Sequence, residues 1–169
     1  MGDSISPERR SWVMSRVAGK NTSPELIVRR AARALGLRYQ LHRKDLPGTP
    51  DLVFPKRKIA VFVNGCFWHR HHGCKRARTP KTRVDYWDAK LQRNVDRDRR
   101  VRSKLRSLGW KSIVIWECET SNLEVLRETL RSRVIKTRNA AKKTGHVVAP
   151  SKRKRPLRKT YVAAASSAN

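Results

Sequence analysis

The sequence predicts an α/β domain of three layers, with helices on both faces of a central mixed sheet. Two observations carry this expectation. Residues 59–63, IAVFV, are almost wholly apolar, as suits a central strand covered on both faces. Segments with helical spacing (23–35, 85–108 and 122–134) alternate with short apolar runs of strand length (52–54, 59–63 and 112–116), the order that stacks helices on a sheet. The densest chemistry lies in residues 51–76, DLVFPKRKIAVFVNGCFWHRHHGCKR. That stretch joins a carboxylate, an apolar strand, two of the three cysteines, His69, His71 and His72.

Residues 1–6 are expected to be loose. SPERRSWVMSRV then predicts a helix opening at Ser6, with Pro7 at its first position, Glu8 in its first turn, and Trp12, Val13 and Val17 as an apolar edge. GKNT breaks it and leaves Lys20 and Asn21 to meet a backbone. In the next helix Ser23 is expected to cap, Pro24 suits the first turn, and Leu26, Ile27, Ala31, Ala34 and Leu35 form the predicted buried stripe. Gly36 stops it. Glu25 in the first turn is accounted for by the helix dipole alone, with a functional role as the alternative.

LRYQLH (37–42) alternates and reads as a strand. RKDLPGTP is rich in turn residues, and Pro50 holds the backbone extended just before Asp51. DLVF and IAVFV read as adjacent strands joined by a tight basic connection, PKRK. Residues 64–83, with Gly65, Gly73, Pro80 and many cations, carry no regular pattern and call for an outside organiser such as a metal ion. Helical spacing returns at 85–108, with Trp87, Leu91, Val95, Val101, Leu105 and Leu108 inward and Gly109 as the stop. A strand at 112–116 and a helix at 122–134, with Leu123, Leu126, Leu130 and Val134 inward, complete a folded domain of residues 1–135. Trp12, Trp110 and Trp116 read as core or near-core residues. The tail, 136–169, is expected to be disordered until neutralised by nucleic acid.

Lys and Arg number 41 against 13 Asp and Glu, a formal charge of +28. Ten of the cations and no acid fall in 136–169, which leaves +18 on residues 1–135. Such a charge on a compact domain points to a polyphosphate partner. A ribosome-bound or merely adhesive basic protein is the bland alternative. Three cysteines cannot all pair among themselves, which favours a reducing, cytoplasmic setting and metal binding over a disulfide scaffold. The start, MGDSISPERRSW, lacks the apolar run of a signal peptide, and no window reaches membrane-spanning length.

Cys66, His71, Cys74 and the distant Cys118 have the donor types and number of a closed, structural zinc site, with His72 as an alternative to His71. The competing reading is an ordinary buried Cys118 beside an inert loop. His69, left between two of these groups, suits a general acid or base, a phosphate-binding cation, or a support for the metal loop. Asp51 opens a strand, where it could hold Mg²⁺ against a phosphate or end a turn by bonding to backbone N–H. Phe67, Trp68 and Trp87 read either as a wedge that enters between base pairs or as packing of the loop on the 85–108 helix.

The run VNGCFWHRHHGC, with TPDLVF upstream and YWDAKLQRNVDRDRRVRSKLRSLGWKSIVIWEC downstream, closely resembles the very short patch repair endonucleases, the Vsr family. SPELIVRR and RSWVMSRV extend the likeness, which covers residues 7–134 and leaves out the tail. The resemblance implies the fold of type II restriction enzymes with a structural zinc. It also implies Mg²⁺-dependent nicking of double-stranded DNA 5′ to the thymine of a T·G mismatch left by 5-methylcytosine deamination. A monomer suffices for a nick. By position, the resemblance makes Asp51 the main Mg²⁺ carboxylate, with the Val63 carbonyl as second protein ligand. His69 becomes the acid–base group held by Asp98, and Glu25 acts through water. Cys66, His71, Cys74 and Cys118 become the zinc ligands, and Phe67, Trp68 and Trp87 the wedge. Asp98 has no signal of its own, because NVDRDRR reads as a solvated helical face; only the resemblance prefers it to Asp96. Asn64 stands where the family often has a histidine, so an Asn64 enzyme is expected to be slower or to lean more on His69. Gly73 lengthens the metal loop slightly.

Overall fold

The computed structural model describes residues 19–136, together with Ser6, Arg9 and Trp12. The predicted helix from Ser6 and the expected disorder of the tail lie outside the described residues, except that Arg9 and Trp12 are helical. Trp12 is 44% exposed, so the expectation of a core position fails there.

The elements are α1 (Ser23–Ala34), β1 (Gln40–Leu41), β2 (Leu52–Phe54), β3 (Ile59–Asn64), α2 (Val84–Ser107), β4 (Lys111–Trp116) and α3 (Leu123–Leu130). A π-helical turn, Arg131–Ile135, continues α3. The four strands lie in the order β1-β2-β3-β4. β1 and β3 pair antiparallel with β2, while β3 pairs parallel with β4 from Ile59 opposite Lys111 to Asn64 opposite Trp116. The sheet is therefore mixed. PKR makes a single 3-10 turn, and Lys58 takes a left-handed φ of 50° to reverse the chain into β3.

Strand alternation divides the core. Leu52, Phe54, Ile59, Val61, Ile113 and Ile115 face Val28, Ala31 and Ala32 of α1 and Leu126 and Leu130 of α3. On the opposite face Val53 and Ala60 meet Leu46 and Leu105, with Phe62, Val101 and Trp110 packed alongside. Helix, sheet, helix is thus the observed layering, with the predicted central strand β3 between β2 and β4. Each fully buried Leu or Ile contributes about 1.5–3 kcal/mol, so the larger α1/α3 side supplies most of the cohesion. Among the described residues no helix is long and apolar enough to cross a membrane.

Several sequence expectations shift. The strand predicted over 37–42 contracts to Gln40–Leu41, because Leu37 turns into the core and His42 adopts a left-handed φ of 46°. Thr22, not Ser23, caps α1. Its buried stripe is Val28, Ala31 and Ala32, flanked by partly buried Ile27 and Leu35, whereas Leu26 and Ala34 are exposed. The helix is rotated so that Glu25 and Arg29, which pair with each other, also turn inward. Leu108 follows the last turn of α2 and Leu123 opens α3; both terminal positions are exposed, at 55% and 50%. Gly48, at φ +76°, brings the turn before Asp51 hard against α2 and β3, since a Cβ there would lie 2.5 Å from Val101 Cγ1 and 3.3 Å from Phe62 Cε1.

Candidate active site and metal centre

A cleft of about 650 Å³ opens where the end of β3 meets the start of β2, the first turn of α1 and the middle of α2. Pro50 delivers Asp51 extended into β2, and Asp51 Oδ2 accepts a 2.7 Å hydrogen bond from the Val63 N–H of β3. Asp51 does bond to a backbone N–H, but across the sheet to β3 and not within its own turn, which fixes the carboxylate beside the Val63 peptide. Burial pushes the Asp51 carboxyl up to about 6; the Val63 N–H opposes this, and the nearby Glu25 charge reinforces it.

Glu25 is 4% exposed. Its Oε2 accepts from Asn21 N (3.0 Å) and Arg29 Nη2 (2.9 Å), and its Oε1 from Thr22 N (3.4 Å) and Thr22 Oγ1 (2.9 Å). This is a capping box at a helix N-terminus, so the local role expected from the sequence is present. The same carboxylate lines the cleft with Asp51.

His69 is carried by a turn in which its N–H bonds to the Gly65 carbonyl at 3.2 Å. Its Nδ1 lies 2.5 Å from Asp98 Oδ2, and the Asn64 side-chain amide donates to the same oxygen at 3.3 Å. Asp98 thereby takes up one ring nitrogen and leaves Nε2 available for proton transfer. Asp96 instead accepts from Gln92 on α2, which separates the two carboxylates that sequence alone could not. Asn64 is 8% exposed and ties β3 to α2 behind His69.

Beyond β3 the chain curls into the irregular loop. Hydrogen bonds from His71 N to the Cys66 carbonyl (3.0 Å) and from Cys74 N to the His71 carbonyl (3.2 Å) bring three donor groups together. Parallel pairing sets Asn64 opposite Trp116, so Cys118 arrives from β4 at the same place. One ligand atom from each of Cys66, His71, Cys74 and Cys118 lies within 4.8 Å of all the others, a group able to hold a metal ion. His71 Nδ1 is 3.5 Å from Cys66 Sγ and 3.4 Å from Cys118 Sγ. His72 is exposed and outside the group, so His71 is the histidine brought to it. Burial pushes the Cys66 thiol up to about 12 and raises Cys118, while the Arg76 backbone N–H lowers Cys74.

Next to this group stand the aromatic residues. The ring centroids of Phe67 lie 5.0 Å from Trp68 and 5.4 Å from Trp87, and Trp68 is 6.2 Å from Trp87. Trp87 is 5% exposed and anchors the loop on α2; Phe67 and Trp68 are half-buried. Packing on the helix, one of the two readings, is thus observed.

Five further residues take part at the site without being marked for it by the sequence. Trp116 stacks flat on His71, at 4.1 Å and 5°, and Glu117 Oε2 accepts from Cys66 N at 3.3 Å. Tyr86 packs edge-on to Trp87 at 5.3 Å. Arg29 joins Glu25 to His42, its spacing of four from Glu25 being the one signal able to reveal it. His42 lines the cleft and had no such mark.

A family model described as DNA mismatch endonuclease Vsr matches residues 2–76. The type II nicking enzyme V.XorIIP of Xanthomonas oryzae pv. oryzae is 50% identical over 132 residues, covering 78% of this chain and 96% of that protein. The type II nicking enzyme V.NmeAIP of Neisseria meningitidis serogroup A is 38% identical over 140 residues, 83% of this chain and 99% of that protein. DNA mismatch endonuclease Vsr of Escherichia coli K12 is 36% identical over 128 residues, 76% and 81% of the two chains. With a mixed-sheet domain, a Cys/His metal group and relatives of this coverage, the chain belongs to the Vsr family of DNA endonucleases.

Proposed function

We propose that the protein nicks double-stranded DNA 5′ to the thymine of a T·G mismatch, using Mg²⁺, on a nuclease fold of the restriction-enzyme type. One observation carries this reading: Asp51, Glu25 and the His69–Asp98 pair meet in one cleft, beside an aromatic cluster on a strongly basic chain. Relatives named nicking enzymes support cleavage of one strand.

Asp51 and the Val63 carbonyl would hold the Mg²⁺. A buried carboxylate suits a hard cation, which would offset the burial and, to a lesser degree, the Glu25 charge that raise the Asp51 carboxyl. Held there, Mg²⁺ would supply positive charge to the scissile phosphate and the leaving oxygen. His69, aimed by Asp98, moves the proton through Nε2 between water or the leaving oxygen and solvent. Asn64 steadies Asp98 and cannot itself transfer a proton at neutral pH. Glu25, with both oxygens occupied by donors, adds negative charge to the cleft wall, and a role through water requires one of those donors to give way.

Zinc fits the Cys/His group. Tetrahedral zinc, with bonds of about 2.3 Å to sulfur and about 2.0 Å to nitrogen, sets S and N about 3.5 Å apart, and the His71 nitrogen lies 3.5 and 3.4 Å from two sulfurs. Four protein ligands leave no open position, so this centre is structural and holds the loop that carries His69, Phe67 and Trp68. Phe67 and Trp68 enter the mismatched step, with buried Trp87 as their backing; unstacking costs least at a mispair.

The test follows each strand of end-labelled T·G and T·A duplexes in Mg²⁺ and in EDTA. Metal-dependent cleavage of the T strand in T·G alone is expected, with Asp51→Ala abolishing the cut and sparing binding. Cleavage of both strands in the matched duplex would replace the mismatch reading with a restriction-type one. Normal nicking by Asp51→Ala would end the metal assignment.

A further inference from the structure

We infer that His42 contacts a DNA phosphate in the cleft through an Nδ1–H donor, and that Arg29 is the positioning residue that fixes this donor from behind the cleft wall. The inference rests on the proposed reading of the cleft as a DNA site. Arg29 is 8% exposed, and its guanidinium is held by three partners: Glu25 Oε2 at 2.9 Å, Asn21 Oδ1 at 2.7 Å and His42 Nε2 at 3.0 Å. A guanidinium has only donors. His42 Nε2 must therefore accept, and the ring proton sits on Nδ1. The two nitrogens of an imidazole point to nearly opposite sides of the ring. With Nε2 turned to buried Arg29 and the residue lining the cleft, the Nδ1–H is left facing the cleft.

Backbone geometry reinforces the arrangement. His42 follows β1 at a left-handed φ of 46°, which takes it out of the strand, and its ring meets Arg29 of α1. Glu25 cannot play this part itself. A carboxylate offers about four acceptor sites, and Asn21 N, Arg29 Nη2, Thr22 N and Thr22 Oγ1 occupy four on Glu25. Within a wall that contains Glu25 and Asp51, a fixed N–H donor gives an anionic phosphate oxygen a partner that does not depend on the metal.

The tautomer is read directly by long-range ¹H–¹⁵N correlation on the full chain. His42 is expected to carry its proton on Nδ1, and Arg29→Met to move it toward Nε2; wild-type protein protonated on Nε2 would overturn the inference. Binding of a T·G duplex is then measured by anisotropy without added Mg²⁺ and without chelator, so that no cleavage is needed and the metal group is left intact. His42→Phe, which keeps the ring volume and loses the donor, is expected to weaken binding about tenfold, a hydrogen bond to a charged group. His42→Gln, which retains a donor, should recover most of it. Wild-type affinity in His42→Phe would sink the contact. A wild-type protein that binds but never nicks would refute the proposed function and leave this result readable.

Discussion

Lowering the pH should raise the Mg²⁺ requirement of the enzyme, by an amount set by Asp51. In the proposed site Mg²⁺ and a proton compete for the same carboxylate, so the half-saturating Mg²⁺ concentration scales inversely with the fraction of Asp51 that is ionised. With the carboxyl raised to about 6, that requirement should climb about tenfold between pH 7 and pH 5. An aspartate at the ordinary value of 3.8 would give almost no change over the same interval. Initial nicking rates on a T·G duplex, measured against Mg²⁺ at pH 5, 6 and 7 and constant ionic strength, separate the effect. Changes in proton transfer at His69 alter the plateau rate, whereas Asp51 alters the midpoint. The metal-free protein should show the opposite sense. The Asp51 carboxyl is raised on folding, so its contribution to stability is fully present below about 4 and is lost as pH rises through about 6. Asp51→Asn should flatten that slope in urea melts. A Mg²⁺ midpoint that stays constant from pH 7 to pH 5 would refute the burial argument.

Cys118→Ser removes one of four ligands, and zinc content should fall from about one ion per chain toward none, with a lower melting temperature; unchanged zinc by elemental analysis would strike Cys118 from the site. Leu126 is fully buried between α1 and the sheet, and Leu126→Ala should cost about 2–5 kcal/mol in urea denaturation. Leu123→Ala, at an exposed helix start, should stay within about 0.5 kcal/mol. Equal losses at the two positions would contradict the burial of Leu126 and the exposure of Leu123.

The strands were legible because nearly every side chain of IAVFV and SIVIW must leave water, whichever face it takes. The stops were legible too: Gly36 and Gly109 adopt φ +66° and +74°, a region only glycine enters cheaply. Helix orientation was less so. Apolar counting places Leu26 and Ala34 inward, yet α1 turns Glu25 and Arg29 in, because two opposite charges that bond to each other can be buried where one could not. The Cys/His group was recognisable from residue type alone, and the choice of His71 over His72 needed the loop. Asp98 is marked by the resemblance alone, and His42 and Trp116 carry no mark for the site, for a common reason. Each owes its role to a partner far along the chain (His69, Arg29 and His71), and local pattern does not encode such encounters.

The parallel pairing of β3 with β4 also sets an order of assembly on the ribosome. Glu25, His42, Asp51, His69 and Asp98 all precede Lys111, where β4 begins. A nascent chain thus displays these five side chains, though not Glu117, which also lines the cleft, before the strand that frames it exists. Closure waits for the long crossover through α2, a non-local contact that forms late. Cys118, the last of the four metal-group residues to emerge, would then fasten the loop that bears His69. The strand that completes the sheet supplies none of the groups proposed to cut, and the proposed blade stays unassembled until the domain is nearly whole.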